Sequence, residues 1–170
     1  MKRLLFVSLL VICCIIVSGM NGTDSFAADR VIKESDIPSV DAAKLKEIIG
    51  KEKGKRVVVI NIFASWCPPC REEVPGIVNI RKMYPEKDLA LYGISVDDIS
   101  LSLVSFVNKS KINYPVMQVK DDIDAFLHAT GVKAVPYLFI YNRKGKLLEQ
   151  RVGYVGEEDL TKAIKEALAE

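Results

Sequence analysis

The sequence predicts an α/β domain with a mixed central sheet and helices on both faces. Three observations carry that reading. From residue 41 onward, apolar runs of strand length alternate with segments whose apolar residues recur at helical spacing. Near the end, two strand-like runs are joined by a short polar turn and followed by an amphipathic segment. The chain of 170 residues is long enough for one domain that covers a sheet on both sides.

Residues 29 to 40 read as an irregular lead-in. Asp41 to Gly50 reads as a short helix with an acidic cap and a glycine stop. Polar Lys51 to Lys55 leads into Arg56 to Ala64, whose continuous Val, Ile and Phe content predicts a strand buried on both faces, the central parallel strand. After Trp66, the positions Val74, Ile77, Val78, Ile80, Arg81 and Met83 fit a helix up to Tyr84-Pro85. Leu89 to Val96 predicts a second strand. Ser100 to Lys111 returns to helical spacing through Leu101, Val104 and Val107. Tyr114 to Val119 predicts a third strand and Asp121 to Thr130 a short helix ending at Gly131. Val135 to Asn142 and Lys146 to Val152 form two strands joined around Lys144-Gly145, and Glu157 to Ala169 closes the chain as a helix with acids in its first turn.

The amino terminus has a different character. Lys2 and Arg3 precede an apolar block from Leu4 to Val17 and a small-residue exit at Ser25, Phe26 and Ala27, the order of a secretory signal. The block is shorter than the roughly 20 residues a spanning helix needs. Cleavage near Ala27 or Ala28 is therefore expected, with an uncleaved anchor as the alternative. Residues 1–27 are read as the signal and 28–170 as one domain. Ile12 is too large for a lipoprotein cleavage site before Cys13, so Cys13 and Cys14 read as apolar filler.

The domain so defined works outside the cytoplasm, in the periplasm or an equivalent space. Its 24 basic and 22 acidic residues, counted over the whole chain, are intermixed, which gives no footprint for nucleic acid or an anionic membrane. Only Cys67 and Cys70 remain of the four cysteines, too few for a disulfide-stapled scaffold.

Cys67-Pro68-Pro69-Cys70 has two readings. A structural zinc site needs two further Cys or His ligands, and His128 is the one histidine in the chain. The other reading is a dithiol that opens and closes. With the helix starting at the pair, Cys67 lies in its first turn, where the macrodipole and free backbone donors favour thiolate, and Cys70 lies one turn inward. Cys67 then attacks a foreign disulfide and Cys70 resolves it, which requires that one sulfur be reachable from solvent.

WCPPC at a strand-to-helix junction, Pro75 five residues on, and Val135-Pro136 before a strand hairpin resemble the thioredoxin superfamily over roughly residues 40 to 170. The nearest type is the extracytoplasmic TlpA and ResA-like thiol-disulfide oxidoreductases, which include those serving cytochrome c maturation. The resemblance implies a thioredoxin-like fold with an extra strand-helix insertion before the cis-proline loop, for which Leu89 to Pro136 has room. It also implies a cis Val135-Pro136 bond facing the site. An exposed Val135 backbone there would pair with a client as an added strand.

Glu73, three residues past Cys70, matches an acidic residue of those reductases. One helical step puts it on the face of Cys70. A carboxylate there opposes a dithiolate, raises the Cys70 thiol pKa and accepts a proton when Cys70 must attack. Asn61 stands where ordinary thioredoxins carry a buried acid, and an amide cannot carry the proton. Pro68 and Pro69 lack N–H groups, so fewer donors stabilise a Cys67 thiolate and the couple is expected to be reducing.

Trp66 is expected as an exposed contact surface, and Trp66, Pro68, Pro69, Val135 and Pro136 together as the docking surface. Tyr137 departs from the small or acidic residue often found after this proline. His128 reads as a solvated surface residue, and Asp97-Asp98 and Asp121-Asp122 as helix caps rather than metal ligands.

The expected function is reduction of protein disulfides by a monomer that needs no cofactor or metal. Its partners are disulfide-containing client proteins and, by the resemblance, a membrane electron donor of the DsbD or CcdA type. The alternatives are a thiol oxidase and a non-catalytic binding module of the same fold.

Overall fold

The computed structural model describes residues 31–170, so the expected signal in residues 1–27 lies outside the described residues. Five strands form one mixed sheet in the order β3-β2-β1-β4-β5: β1 Val57–Phe63, β2 Leu89–Ser95, β3 Val116–Gln118, β4 Tyr137–Tyr141 and β5 Leu147–Val152. β1, β2 and β3 run parallel, while β4 and β5 pair antiparallel beyond β1. The helices are α1 Ala42–Glu52, α2 Pro68–Met83, α3 Ser100–Lys109, α4 Ile123–Thr130 and α5 Glu157–Ala169. All seven residues of β1 are buried, which requires cover on both faces. α2 packs with α5, and α1 with α4 and β1, to supply it. Among the described residues no helix is long and apolar enough to cross a membrane.

Between β2 and β4 the chain inserts α3, β3 and α4, so the extra strand and helix are present. β3 takes the sheet edge beside β2, and the lead-in touches it through a parallel bridge from Ser39 to Gln118. The lead-in also contains a single 3-10 turn, Glu34–Asp36.

Several boundaries differ from the sequence expectation for local reasons. α1 runs through Gly50 to Glu52, and Gly54, with φ 81°, ends the segment. Glu52 is buried and anchored by Arg56 and by the Tyr92 hydroxyl, which holds that last turn in place. β3 is three residues rather than six, since Pro115 offers no N–H to a ladder. β4 begins at Tyr137, past Pro136, for the same reason.

α3 buries Leu103, Phe106 and Val107, while Leu101 is 70% exposed, so its inward face is rotated from the one expected. In α2, Met83 is exposed and Arg81 is half-buried, its guanidinium donating to the Leu89 and Tyr84 carbonyls rather than packing as an apolar side chain.

Gly93 on β2 marks where the core beneath the site is tightest. A Cβ there would come within 3.1 Å of ring atoms of both Phe63 and Tyr114, which are fully buried and have nowhere to move. Gly93→Ala is expected to lower stability by about 1–3 kcal/mol, read as a lower urea midpoint at an unchanged slope.

Candidate active site

The carboxyl end of β1 runs directly into the site. Ala64 accepts the Cys67 N–H at 3.2 Å, and α2 then starts at Pro68 with Cys67 as its N-cap. Proline at the first helical positions suits this start, because those N–H groups have no intrahelical partner. The Cys67 Sγ accepts the Cys70 N–H at 3.3 Å, and the two cysteines are joined in a disulfide with their Cα atoms 5.3 Å apart. The Val135 carbonyl oxygen lies 3.7 Å from the Cys67 Sγ, and the Val135-Pro136 bond is cis.

Cys67 is only 3% exposed and Cys70 is fully buried, which corrects the expectation of a sulfur open to solvent in this oxidised form. The cause is the seat of Cys67, between the first turn of α2 and the Val135-Pro136 segment. Pro136 is buried there and Val135 half-buried. Trp66 stands 63% exposed beside the pair, Pro68 is exposed and Pro69 half-buried. The sulfur thus lies recessed beneath its neighbours.

One turn into α2, Glu73 is 2% exposed. Its Oε2 accepts from Asn61 Nδ2 at 2.8 Å and its Oε1 from the Val155 N–H at 3.0 Å. Burial pushes its carboxyl from 4.5 up to about 7, against the pull of those two hydrogen bonds, which favour the charged form. Tyr114 is fully buried on the same side, and burial followed by the charge of Glu73 holds its phenol well above its ordinary range. The Asn61 Oδ1 and the Tyr114 hydroxyl are buried with no hydrogen-bond partner, which marks this as a polar pocket in an otherwise apolar layer. Glu72, by contrast, is exposed.

Asp97 was expected as a cap, and the structure corrects this. It is 1% exposed, and its carboxylate accepts from the Ser65 N–H and from the Ser65 and Ser95 hydroxyls at 2.6–3.1 Å. It therefore clamps the loop that carries Trp66 and Cys67. α3 has Ile99 at its N-cap and no side-chain cap. The available signal was topological: Asp97 follows a strand parallel and adjacent to β1, so the two loops meet at one end of the sheet. Asp122 does cap α4, accepting the Ala125 N–H. His128 is exposed on α4, and Tyr137 is buried with its hydroxyl donating to Gln150.

Nothing in the sequence announced that Asn61 and Glu73 would bond, or that the Val155 backbone would complete the set. Asn61 was read as excluded from proton transfer, whereas the structure shows it holding the carboxyl that remains.

Comparison with known proteins fits this geometry. A family model described as Redoxin matches residues 33–167. The thiol-disulfide oxidoreductase ResA of Bacillus thuringiensis (strain Al Hakam) is 29% identical over 96% of each chain. ResA of Bacillus subtilis (strain 168) is also 29% identical, over 92% of this chain and 89% of its own. Among solved structures, a thiol:disulfide interchange protein of the thioredoxin family from Chlorobium tepidum TLS matches with TM-score 0.61 and 28% identity, over 70% of this chain and 83% of that one.

Because the Glu73 carboxyl lies higher in the folded protein than in the unfolded chain, folding retains a proton between about pH 4.5 and pH 7 that the unfolded chain has released. Stability is expected to fall as pH rises through that window, by at most about 3 kcal/mol, and to level off above it. In Glu73→Gln that slope is expected to vanish, which urea unfolding of both oxidised proteins from pH 4.5 to 8 would measure.

Proposed function

We propose, from the premise that the chain belongs to the Redoxin family and is a ResA-like member of the thioredoxin superfamily, that it reduces protein disulfides outside the cytoplasm. Its chemistry is that of a thiol-disulfide oxidoreductase. The observation that carries the reading is a disulfide at the start of α2 with a buried carboxyl one turn beneath it.

The reduced protein acts in two displacements. Cys67 thiolate attacks one sulfur of the client disulfide; the client S–S bond breaks, and the departing client sulfur takes a proton from solvent. A mixed disulfide now joins Cys67 to the client. Cys70 gives its proton to the Glu73 carboxylate and attacks the Cys67 Sγ, which breaks the mixed disulfide; the second client sulfur leaves as thiolate and takes a proton from solvent, and Glu73 later releases its own to solvent. Two electrons have passed to the client, and the Cys67–Cys70 disulfide is the product. A membrane dithiol carrier of the DsbD or CcdA type restores the dithiol. The signal read in residues 1–27 would deliver the domain to that space, and cytochrome c maturation is the client pathway this type serves.

The surroundings of Cys67 favour reduction over oxidation. Pro68 and Pro69 remove two donors, leaving the Cys70 N–H on the sulfur. The Val135 carbonyl beside it accepts from a thiol and repels a thiolate. A less stabilised thiolate makes the dithiol a better reductant.

Equilibration against glutathione is expected to give a potential nearer thioredoxin's, about -270 mV, than the strong oxidant's, about -120 mV. A value above roughly -180 mV would favour the oxidase instead. Cys70→Ser is expected to accumulate mixed disulfides through Cys67, which non-reducing electrophoresis would detect; a binding module without catalysis would form none.

A further inference from the structure

The charges that intermix along the chain separate in the fold. β1 and β2 begin level with each other, Val57 opposite Leu89, and β4 ends where β5 begins at the same height, with Val58 opposite Tyr141 and Tyr141 opposite Leu147. The segments that meet at this end, residues 51–56, 81–88 and 142–147, hold ten basic residues and three acidic ones. From Val57 to Phe63, β1 spans roughly 20 Å to the end that carries Cys67. There the balance reverses: the loops that follow β2, β3 and β5, residues 96–99, 119–124 and 153–159, hold eight acidic residues and one basic.

Contacts between the three basic segments make them one surface. The Gly54 N–H donates to the Arg143 carbonyl at 2.7 Å, Arg56 donates to the Glu86 carbonyl at 2.7 Å, and Arg143 donates to the Asp88 carboxylate at 2.8 Å. Lys53 passes Gly145 so closely that a Cβ there would lie 3.2 Å from its Cγ. Of the acids, Glu52 is engaged by Arg56 and Asp88 by Arg143, and Glu170 at the end of α5 accepts from Asn142 nearby. Lys53, Lys55, Lys82, Lys87, Lys144 and Lys146 are exposed and make no ion pair among the described residues. Met83 stands 55% exposed beside Lys82.

We propose that this end of the molecule is a docking surface for an anionic phospholipid bilayer, whose headgroup phosphates meet the six lysines while the Cys67 end points away. Three observations choose a bilayer. The lysines come from three segments spread across one end of the sheet and not along a groove, which fits a plane of phosphates better than a single polyanionic strand. Met83 supplies an apolar side chain for the boundary between headgroups and acyl chains. The chain also enters at this end: α3 runs down from the Cys67 end, and near its close Asn108 binds both the N–H and the carbonyl of Ile32 at 2.8 Å, so the apolar block Leu4 to Val17 precedes the domain on this side. The acidic loops at the other end are repelled by the same bilayer, so charge alone orients the domain.

The test is lysine footprinting of the full chain with a water-soluble acetylating reagent, read by mass spectrometry on vesicles of phosphatidylcholine alone and on vesicles with about 30% phosphatidylglycerol. Labelling of the six lysines is expected to fall about threefold or more on the anionic vesicles and to recover in about 0.5 M salt, while Lys120 and Lys133 label equally throughout. The triple change Lys53→Gln, Lys144→Gln and Lys146→Gln is expected to weaken partitioning onto anionic vesicles about tenfold or more. Lys133→Gln with Lys162→Gln and Lys165→Gln removes the same charge elsewhere and is expected to change it less than threefold. All these lysines are exposed, so the substitutions do not disturb folding.

Equal labelling on the two kinds of vesicle, or protection of Lys120 and Lys133 to the same degree as the six, would overturn the proposal. An equal loss of partitioning in both triple variants would overturn it in favour of net charge without a defined surface. Protection of the six lysines by soluble polyphosphate and not by the anionic vesicles would overturn it in favour of a polyanion as occupant.

Discussion

Glu73 sits where β1, α2 and the chain between β5 and α5 converge, and its carboxyl takes one hydrogen bond from each neighbour outside its own helix. Asn61 reaches it from β1 and the Val155 N–H from the segment before α5. A charged carboxylate that is 2% exposed in the core loses most of its hydration, and two hydrogen bonds offset only part of that loss. The balance leaves the group able to gain or lose a proton near neutral pH, unlike an ordinary glutamate that is ionised throughout. The same two bonds that hold the carboxyl also link β1, α2 and the segment before α5.

The start of α2 sets the remaining properties together. Two prolines begin the helix at no cost in intrahelical bonds, and they leave the Cys70 N–H as the donor to the N-cap sulfur. Val135 closes over the sulfur from the opposite side, and Asp97 pins the approaching loop from a third. What emerges is a recessed sulfur with the Cys70 N–H as its hydrogen-bond donor.

Much of this was legible in the chain because it depends on local order. The strand and helix succession follows from apolar periodicity, and the spacing of Cys67, Cys70 and Glu73 along one helix fixes their relative placement before any tertiary fact is known. Where the reading failed, long-range packing had decided the matter. Leu101 begins the apolar stripe read for α3, but it meets solvent while Val107 of that stripe is buried with Leu103 and Phe106, and Phe106 packs at a tilt against Phe63. Asp97 has the composition of a cap, and only its parallel neighbour strand turns it into a clamp for Ser65. The cover over Cys67 comes from a segment 68 residues later in the chain, which no local pattern encodes. The two-residue overrun of α1 has the same cause, because Glu52 is held by Arg56 and by Tyr92, 40 residues on.

The role given to Glu73 can be tested by following its carboxyl carbon by NMR in the oxidised, selectively labelled protein as pH is raised. A midpoint near 7 is expected for a group that receives the proton of Cys70. A midpoint at the ordinary glutamate value, about 4.3, would contradict that role.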